Sequence, residues 1–178
     1  ANMLSGNFQG QLLTMIAAML QATNILEIGT FTGYSAICLA KGLSNGGVVH
    51  SIDPDVEKRY LVEDFVAKAG LAHKVKLYSG LAQEVIVDEL SDQIFDLVLI
   101  DADKENYSLY YDLVIDQIRA DGIILVDNVL WKGRVLEEKK DKKTAIIDAF
   151  NQKVKEDPRV SKILLPIRDG LFLIQKNG

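Results

Sequence analysis

The chain has 178 residues, of which 48% are hydrophobic and 25% charged, with one cysteine and a formal net charge of −5. This size and composition predict one globular domain with a substantial core, and the lone Cys38 fits a reducing, cytoplasmic environment. The negative charge argues against nucleic acid or an anionic membrane as a partner, and no apolar stretch approaches the ~18 residues that a membrane helix requires.

Helical and strand-like segments alternate along most of the chain. Apolar residues at helical spacing precede the first strand-like run, and those from Tyr107 to Ile118 predict a helix after the fourth. Pro54 suits the first turn of a helix after the second run. The five β-rich runs are Asn24–Gly29, Val48–Asp53, Val75–Ser79, Phe95–Asp101 and Gly122–Asp127. Nearly continuous hydrophobic strands that alternate with helices predict a doubly wound, mostly parallel α/β sheet.

The C-terminal part of the chain has a different pattern. The spacing of apolar residues predicts an amphipathic helix over Lys142–Glu156. The charged run Glu137–Lys143 predicts a solvated loop. Val160–Ile167 and Leu171–Lys176 are strand-like runs joined by an Asp-Gly turn signal, so they should pair as an antiparallel hairpin at one side of the sheet. We therefore expect seven strands in a single domain over residues 1–178.

A glycine turn follows the first predicted strand, within Glu27–Ser35 (EIGTFTGYS). Glycines at a strand-to-helix turn let the backbone approach a ligand, but G-x-x-x-G is not the fingerprint of dinucleotide binders. Asp53 ends the second strand, where a carboxylate can accept hydrogen bonds from ribose hydroxyls; alternatively, it caps the next helix. The combination favours a cofactor that has a ribose but no pyrophosphate.

Polar side chains end the fourth and fifth predicted strands. Asp101 and Lys104 follow one strand, and Asp127 and Asn128 follow the other. Because both carboxyl ends face the same crevice in a doubly wound sheet, three oxygen ligands can converge there, and oxygen suits magnesium rather than zinc. An acidic residue at a strand end is more often a structural cap than a metal ligand when it stands alone, so the metal interpretation rests on Asp101, Asp127 and Asn128 together.

The segments LEIGTFTGYS, DADKENY and DNVLWKG (Leu26–Ser35, Asp101–Tyr107 and Asp127–Gly133), with Asp53 between them, resemble the metal-dependent O-methyltransferase family that includes caffeoyl-CoA and catechol O-methyltransferases. The resemblance runs over essentially the whole chain. It implies a class I methyltransferase fold that binds S-adenosylmethionine (SAM). The residues that it assigns to the cofactor are Ser5, Glu27, Gly29, Thr30, Ser35, Asp53, Ala82 and Asp101.

The same resemblance assigns the chemistry. Asp101, Asp127 and Asn128 match the ligands of Mg²⁺ or of another divalent cation such as Mn²⁺ or Ca²⁺. Lys104 matches the lysine beside the reacting hydroxyl, and Trp131 lies in the loop that borders the substrate. The family pattern also includes a segment ahead of the position of Met3, which we expect to be missing here, and a homodimer.

These features predict SAM-dependent, metal-assisted O-methylation of a small aromatic vicinal diol. A phenol is mostly protonated at neutral pH, since its pKa is near ~10, and a cation that binds two adjacent oxygens would favour its ionised form. Three alternatives remain open: a nicotinamide-dependent oxidoreductase, which would need a different glycine fingerprint; a metal-independent methyltransferase; and a non-catalytic SAM-binding module.

Overall fold

A seven-stranded sheet runs through the computed structural model, which describes residues 6–178. The strand order is β3-β2-β1-β4-β5-β7-β6; the strands from β3 to β5 are parallel, and β7 is antiparallel to both β5 and β6. The strands are β1 (Asn24–Ile28), β2 (Val48–Asp53), β3 (Val75–Ser79), β4 (Phe95–Ile100), β5 (Ile118–Asp127), β6 (Val160–Leu165) and β7 (Leu171–Lys176). The mostly parallel sheet and the C-terminal antiparallel hairpin confirm the predicted fold class.

Within residues 6–178, six α-helices cover the two faces of the sheet: α1 (Gly6–Met19), α2 (Tyr34–Gly42), α3 (Arg59–Lys68), α4 (Ala82–Asp88), α5 (Tyr107–Ile115) and α6 (Lys142–Glu156). Alternate residues of each central strand enter different cores. In β1, Ile25 packs with the buried residues of α1 and α2, whereas Leu26 and Ile28 pack with those of α4, α5 and α6. This period of two explains the continuous apolar runs, because both faces of the strand are buried.

Two boundaries differ by four residues or more from those predicted. Ile118, assigned above to the helical face after the fourth strand, lies in β5, which begins four residues before the expected Gly122. The register with β4 shifts between the pairs Phe95–Ile118 and Leu97–Ile123, and Gly122 lies in this irregular part, where a Cβ would be only 3.1 Å from the main-chain oxygen of Asp96. The helix expected from Pro54 begins at Arg59 instead, after a 3₁₀ turn that the Asp55 carboxylate caps at its N-terminus.

The topology places the carboxyl ends of β1, β2, β4 and β5 at one edge of the sheet. The strand order reverses between β1 and β4, so the loops at this edge diverge and leave a crevice between them. This is where the glycine turn and the polar strand ends lie. None of the helices within residues 6–178 is long and apolar enough to cross a membrane.

Candidate active site

A cleft of about 520 Å³ opens at the carboxyl edge of the sheet. Its walls come from the turns that follow the four central strands and from the turn between β6 and β7. The lining residues are Gly29, Thr30, Phe31, Thr32, Tyr34, Ser35, Asp53, Pro54, Asp101, Ala102, Asp103, Lys104, Asp127, Asn128 and Arg168. Most of the residues predicted for the cofactor, the metal and the catalytic lysine are therefore brought together.

The glycine turn is packed tightly against the end of β4. Gly29 has φ +101°, and a Cβ at this position would lie 2.1 Å from the main-chain oxygen of Asp101. Gly33 has φ +80°, and its Cβ would lie 2.7 Å from the Val62 side chain. Both positions thus require glycine for conformation and for space. Phe31, between them, also has a positive φ of 50°, so the turn holds strained backbone at the cleft.

Asp53 braces this turn. One oxygen of its carboxylate accepts hydrogen bonds from the main-chain N–H groups of Thr30 and Phe31 at 3.0 and 2.8 Å. The other oxygen accepts from the N–H of Asp55 at 2.9 Å. Each carboxylate oxygen has two lone pairs, so the oxygen that faces Thr30 and Phe31 is fully used, and the other retains capacity for one hydroxyl of a ligand. The next helical turn is capped by Asp55, not by Asp53. Asp53 instead holds the loops that follow β1 and β2 together, and it faces the cleft.

Glu27 lies beneath the floor of the cleft and is fully buried. Its carboxylate accepts a hydrogen bond from the Ser51 hydroxyl, which is also 2.6 Å from the hydroxyl of Thr30. Its second oxygen, Oε1, has no hydrogen-bond partner among the described residues. Burial raises the pKa of Glu27 to about 7, although the hydroxyls of Ser35 and Ser51 oppose the change. A buried carboxyl of this kind is typical of a functional site.

The two predicted metal-binding carboxylates end neighbouring strands. Ile100 of β4 pairs with Val126 of β5, so Asp101 and Asp127 follow at equivalent positions. Asp127 accepts hydrogen bonds from the Asn128 N–H and from the Gln9 side chain, both at 2.8 Å. Burial, and then the negative charge of Asp101, raise the pKa of Asp127. A cation at this edge of the sheet would offset the repulsion between the two carboxylates.

The donor set is compatible with a hard divalent cation. It comprises the carboxylates of Asp101 and Asp127 and the side-chain amide of Asn128. Within residues 6–178, no competing group of three or more His, Cys, Asp or Glu side chains is arranged to hold a metal ion. Mg²⁺ prefers oxygen and keeps several positions for water or substrate. The hydrogen bonds to Asp127 occupy one lone pair on each of its oxygens, so both retain capacity. Asp101, Asp127 and Asn128 therefore fit the ion.

Lys104 and Tyr107 lie beside these carboxylates. The Lys104 ammonium donates to Asp101 Oδ1 at 3.2 Å and also to the hydroxyl of Tyr107. That hydroxyl in turn donates to the main-chain oxygen of Asp127 at 3.0 Å. Sequence reasoning assigned no role to Tyr107 or to Gln9. In the sequence, the available signal for Gln9 was a polar residue on an otherwise apolar helical face. In the structure, Gln9 is only 1% exposed.

Three of the predicted residues that the structure describes do not line the cleft: Glu27, Ala82 and Trp131. Ala82 is buried at the start of α4, and Trp131 is half-buried in the loop after β5, with a φ of 48°. Ser5 lies outside the described residues. Their assignments to the cofactor and the substrate stay predictions. Arg168, which was predicted to be part of the hairpin turn, does line the cleft.

The sheet order, the glycine turn and Asp53 define the class I methyltransferase architecture. The family profile described as O-methyltransferase matches residues 1–177. The chain belongs to this O-methyltransferase family.

Relatives with established names agree with the profile. Tricin synthase 2 of Oryza sativa subsp. japonica is 36% identical, over 94% of this chain and 61% of its own length. Caffeoyl-CoA O-methyltransferase 1 of Arabidopsis thaliana is 31% identical, over 94% of this chain and 69% of its own length. The chain thus spans about three fifths of the rice relative.

Solved structures resemble the whole fold. The O-methyltransferase from Bacillus cereus in complex with SAH has a TM-score of 0.92 and 30% identity, covering 99% of this chain and 84% of that one. The O-methyltransferase TomG from Streptomyces achromogenes in complex with SAM has a TM-score of 0.89 and 29% identity, covering 99% and 82%. The seven-stranded architecture is therefore that of known O-methyltransferases.

Proposed function

We propose that this chain transfers the methyl group of SAM to a hydroxyl of a small aromatic vicinal diol, such as a catechol or a hydroxycinnamoyl compound, with the help of a divalent cation. The observation that carries the proposal is the convergence of Asp101, Asp127 and Asn128, with Lys104, on the cleft that also contains the glycine turn and Asp53.

SAM would occupy the part of the cleft between the glycine turn and Asp53. Two relatives of similar fold were solved with SAH or SAM, which supports this cofactor. Gly29 carries no side chain where the glycine turn approaches the end of β4. The Asp53 carboxylate can accept a hydrogen bond from a ribose hydroxyl, and a narrower groove continues beyond it toward Tyr78 and Ser79.

The acceptor would lie at the other end of the cleft, beside the two strand-end carboxylates. Asp101, Asp127 and Asn128 would hold the cation, which when bound favours the ionised form of an acceptor hydroxyl and orients two adjacent oxygens. Lys104 is placed to stabilise the negative charge of the reacting oxygen or to accept its proton. Holding the oxygen in line with the methyl group supplies much of the remaining rate enhancement, up to ~7–11 kcal/mol in well-oriented systems.

Turnover of matched acceptors tests this proposal. The full-length protein should methylate a catechol in the presence of SAM and Mg²⁺, and phenol, which lacks the second hydroxyl, should react far more slowly. Asp127→Ala should remove the preference for the catechol together with most of the activity. Equal rates on catechol and phenol would contradict the chelated-diol acceptor, and activity without any metal would favour a metal-independent methyltransferase.

We also infer a single domain, a cytoplasmic location and a homodimer. The continuous sheet supports the single domain. The free, buried Cys38 supports the cytoplasmic location. The family resemblance supports the homodimer. Sedimentation of the full-length protein would test the dimer, and a sedimenting monomer would contradict it.

A further inference from the structure

Tyr107 is the first residue of α5, and its side chain is completely buried. Both hydrogen bonds of its hydroxyl go to the candidate active site. The hydroxyl donates to the main-chain oxygen of Asp127 at 3.0 Å and accepts from the ammonium of Lys104. The same ammonium lies 4.7 Å from the centroid of the ring. The Tyr107 side chain therefore contacts two proposed functional residues: Lys104, in the turn after β4, and Asp127, at the end of β5.

The ring and the hydroxyl serve different purposes. The ring packs edge-on against Phe150 of α6, at 5.6 Å between centroids, and phenylalanine would make the same contact. The hydroxyl carries a desolvation cost in the core, which its hydrogen bonds offset. It joins the turn after β4 to the end of β5, where no main-chain pairing extends beyond Ile100 and Val126.

We propose that Tyr107 is a positioning residue for methyl transfer. Its hydroxyl holds the ammonium of Lys104 between Asp101 and the main chain of Asp127, and so keeps the lysine beside the reacting oxygen. A lysine side chain has many rotamers, and fixing it in advance removes an ordering cost that would otherwise fall on the transition state. This inference rests on the function proposed above.

Tyr111 provides a matched control on the same helix. Its side chain is also completely buried, its ring packs edge-on against the same Phe150 at 6.2 Å, and its hydroxyl donates to the Asp157 carboxylate at 2.9 Å. Asp157 follows α6 and does not line the cleft. Tyr111→Phe therefore removes one buried hydroxyl from α5 without altering the site.

The experiment compares Tyr107→Phe with Tyr111→Phe in the full-length protein. Tyr107→Phe should lower kcat on a catechol by ~10–100-fold, the usual effect of removing a partner that orients a site, while the KM for SAM stays unchanged. Tyr111→Phe should leave kcat unchanged. A second measurement does not require turnover: labelling of Lys104 by an amine-reactive ester, followed by mass spectrometry, should be faster in Tyr107→Phe and unchanged in Tyr111→Phe.

Coupling to Lys104 completes the test. In the double variant Tyr107→Phe/Lys104→Met the losses in kcat should be far from additive, because both changes remove the same interaction. Additive losses, unchanged kcat or unchanged labelling in Tyr107→Phe would overturn the proposal. Failure of Tyr107→Phe to fold when Tyr111→Phe folds would also overturn it, because the hydroxyl would then serve stability. A wild-type protein that is inactive on every diol would contradict the proposed function instead, and the labelling result would still decide this inference.

Discussion

The buried carboxyl of Glu27 should make the stability of the protein depend on pH. Its pKa is raised from 4.5 to about 7 in the folded state, chiefly by burial. Between these two values the folded protein binds more protons than the unfolded chain, so this group lowers the free energy of unfolding as the pH rises. The penalty is absent below the unfolded pKa and complete above the folded one.

The size of the effect follows from the difference between the two pKa values. Each pH unit corresponds to about 1.36 kcal/mol, so the change from 4.5 to about 7 costs about 3 kcal/mol. Glu27 is fully buried, so solvent does little to screen this cost. Glu27→Gln removes the ionisation and keeps the shape, and the Ser51 hydroxyl next to it can accept a hydrogen bond from the new amide.

Urea unfolding of the wild type and Glu27→Gln between pH 4.5 and pH 8, without cofactor, measures this directly. Relative to the wild type, the variant should gain about 3 kcal/mol of stability across that window. The comparison cancels the other titrating groups, because both proteins share them. SAH should reduce the difference if its ammonium group lies near Glu27. Parallel pH profiles for the two proteins would refute the conclusion that a neutral carboxyl is buried under the cleft.

Three further substitutions test individual parts of the site. Asp53→Ala should weaken SAH binding by ~1–3 kcal/mol in calorimetry, because ribose hydroxyls lose an acceptor and the glycine turn loses its brace; unchanged affinity in a folded variant would remove Asp53 from the site. Gln9→Leu should raise the Mg²⁺ concentration needed for half-maximal activity by ~10–100-fold, because Asp127 loses a buried donor, whereas the exposed Gln11→Leu should not. Lys104→Met should lower the single-turnover rate by ~10²–10⁴-fold with SAH affinity unchanged; a wild-type rate would make Lys104 only a partner of Asp101.

Local patterns in the sequence were sufficient for most of the architecture. The apolar runs identified the seven strands of the described sheet. In the central strands this was possible because a strand buried on both faces has an uninterrupted apolar sequence. The boundary at Ile118 was wrong for a related reason: an isoleucine that continues helical spacing equally suits a strand, and the two-residue turn between α5 and β5 contains no glycine or proline. At Pro54, the capping side chain of Asp55 delays the helix, which proline alone does not indicate.

The site was predictable where its residues end strands, and not where they act across the fold. Asp101 and Asp127 could be placed together because parallel strands share a carboxyl edge. Gln9 contacts Asp127 across 118 positions in the chain, and periodicity within a helix cannot identify such a partner. Tyr107 was recognised as part of a helical apolar face, but its hydroxyl bonds depend on the three-dimensional register of two loops.

Metal dependence of methyl transfer is the most direct test of the proposed function. The measurement is the rate of transfer from labelled SAM to a catechol by the full-length protein, first with excess chelator and then after Mg²⁺ is restored. Chelation should abolish transfer, and Mg²⁺ should restore it in the wild type but not, at the same concentration, in Asp127→Ala. Full activity of the wild type in excess chelator would contradict metal-assisted O-methylation.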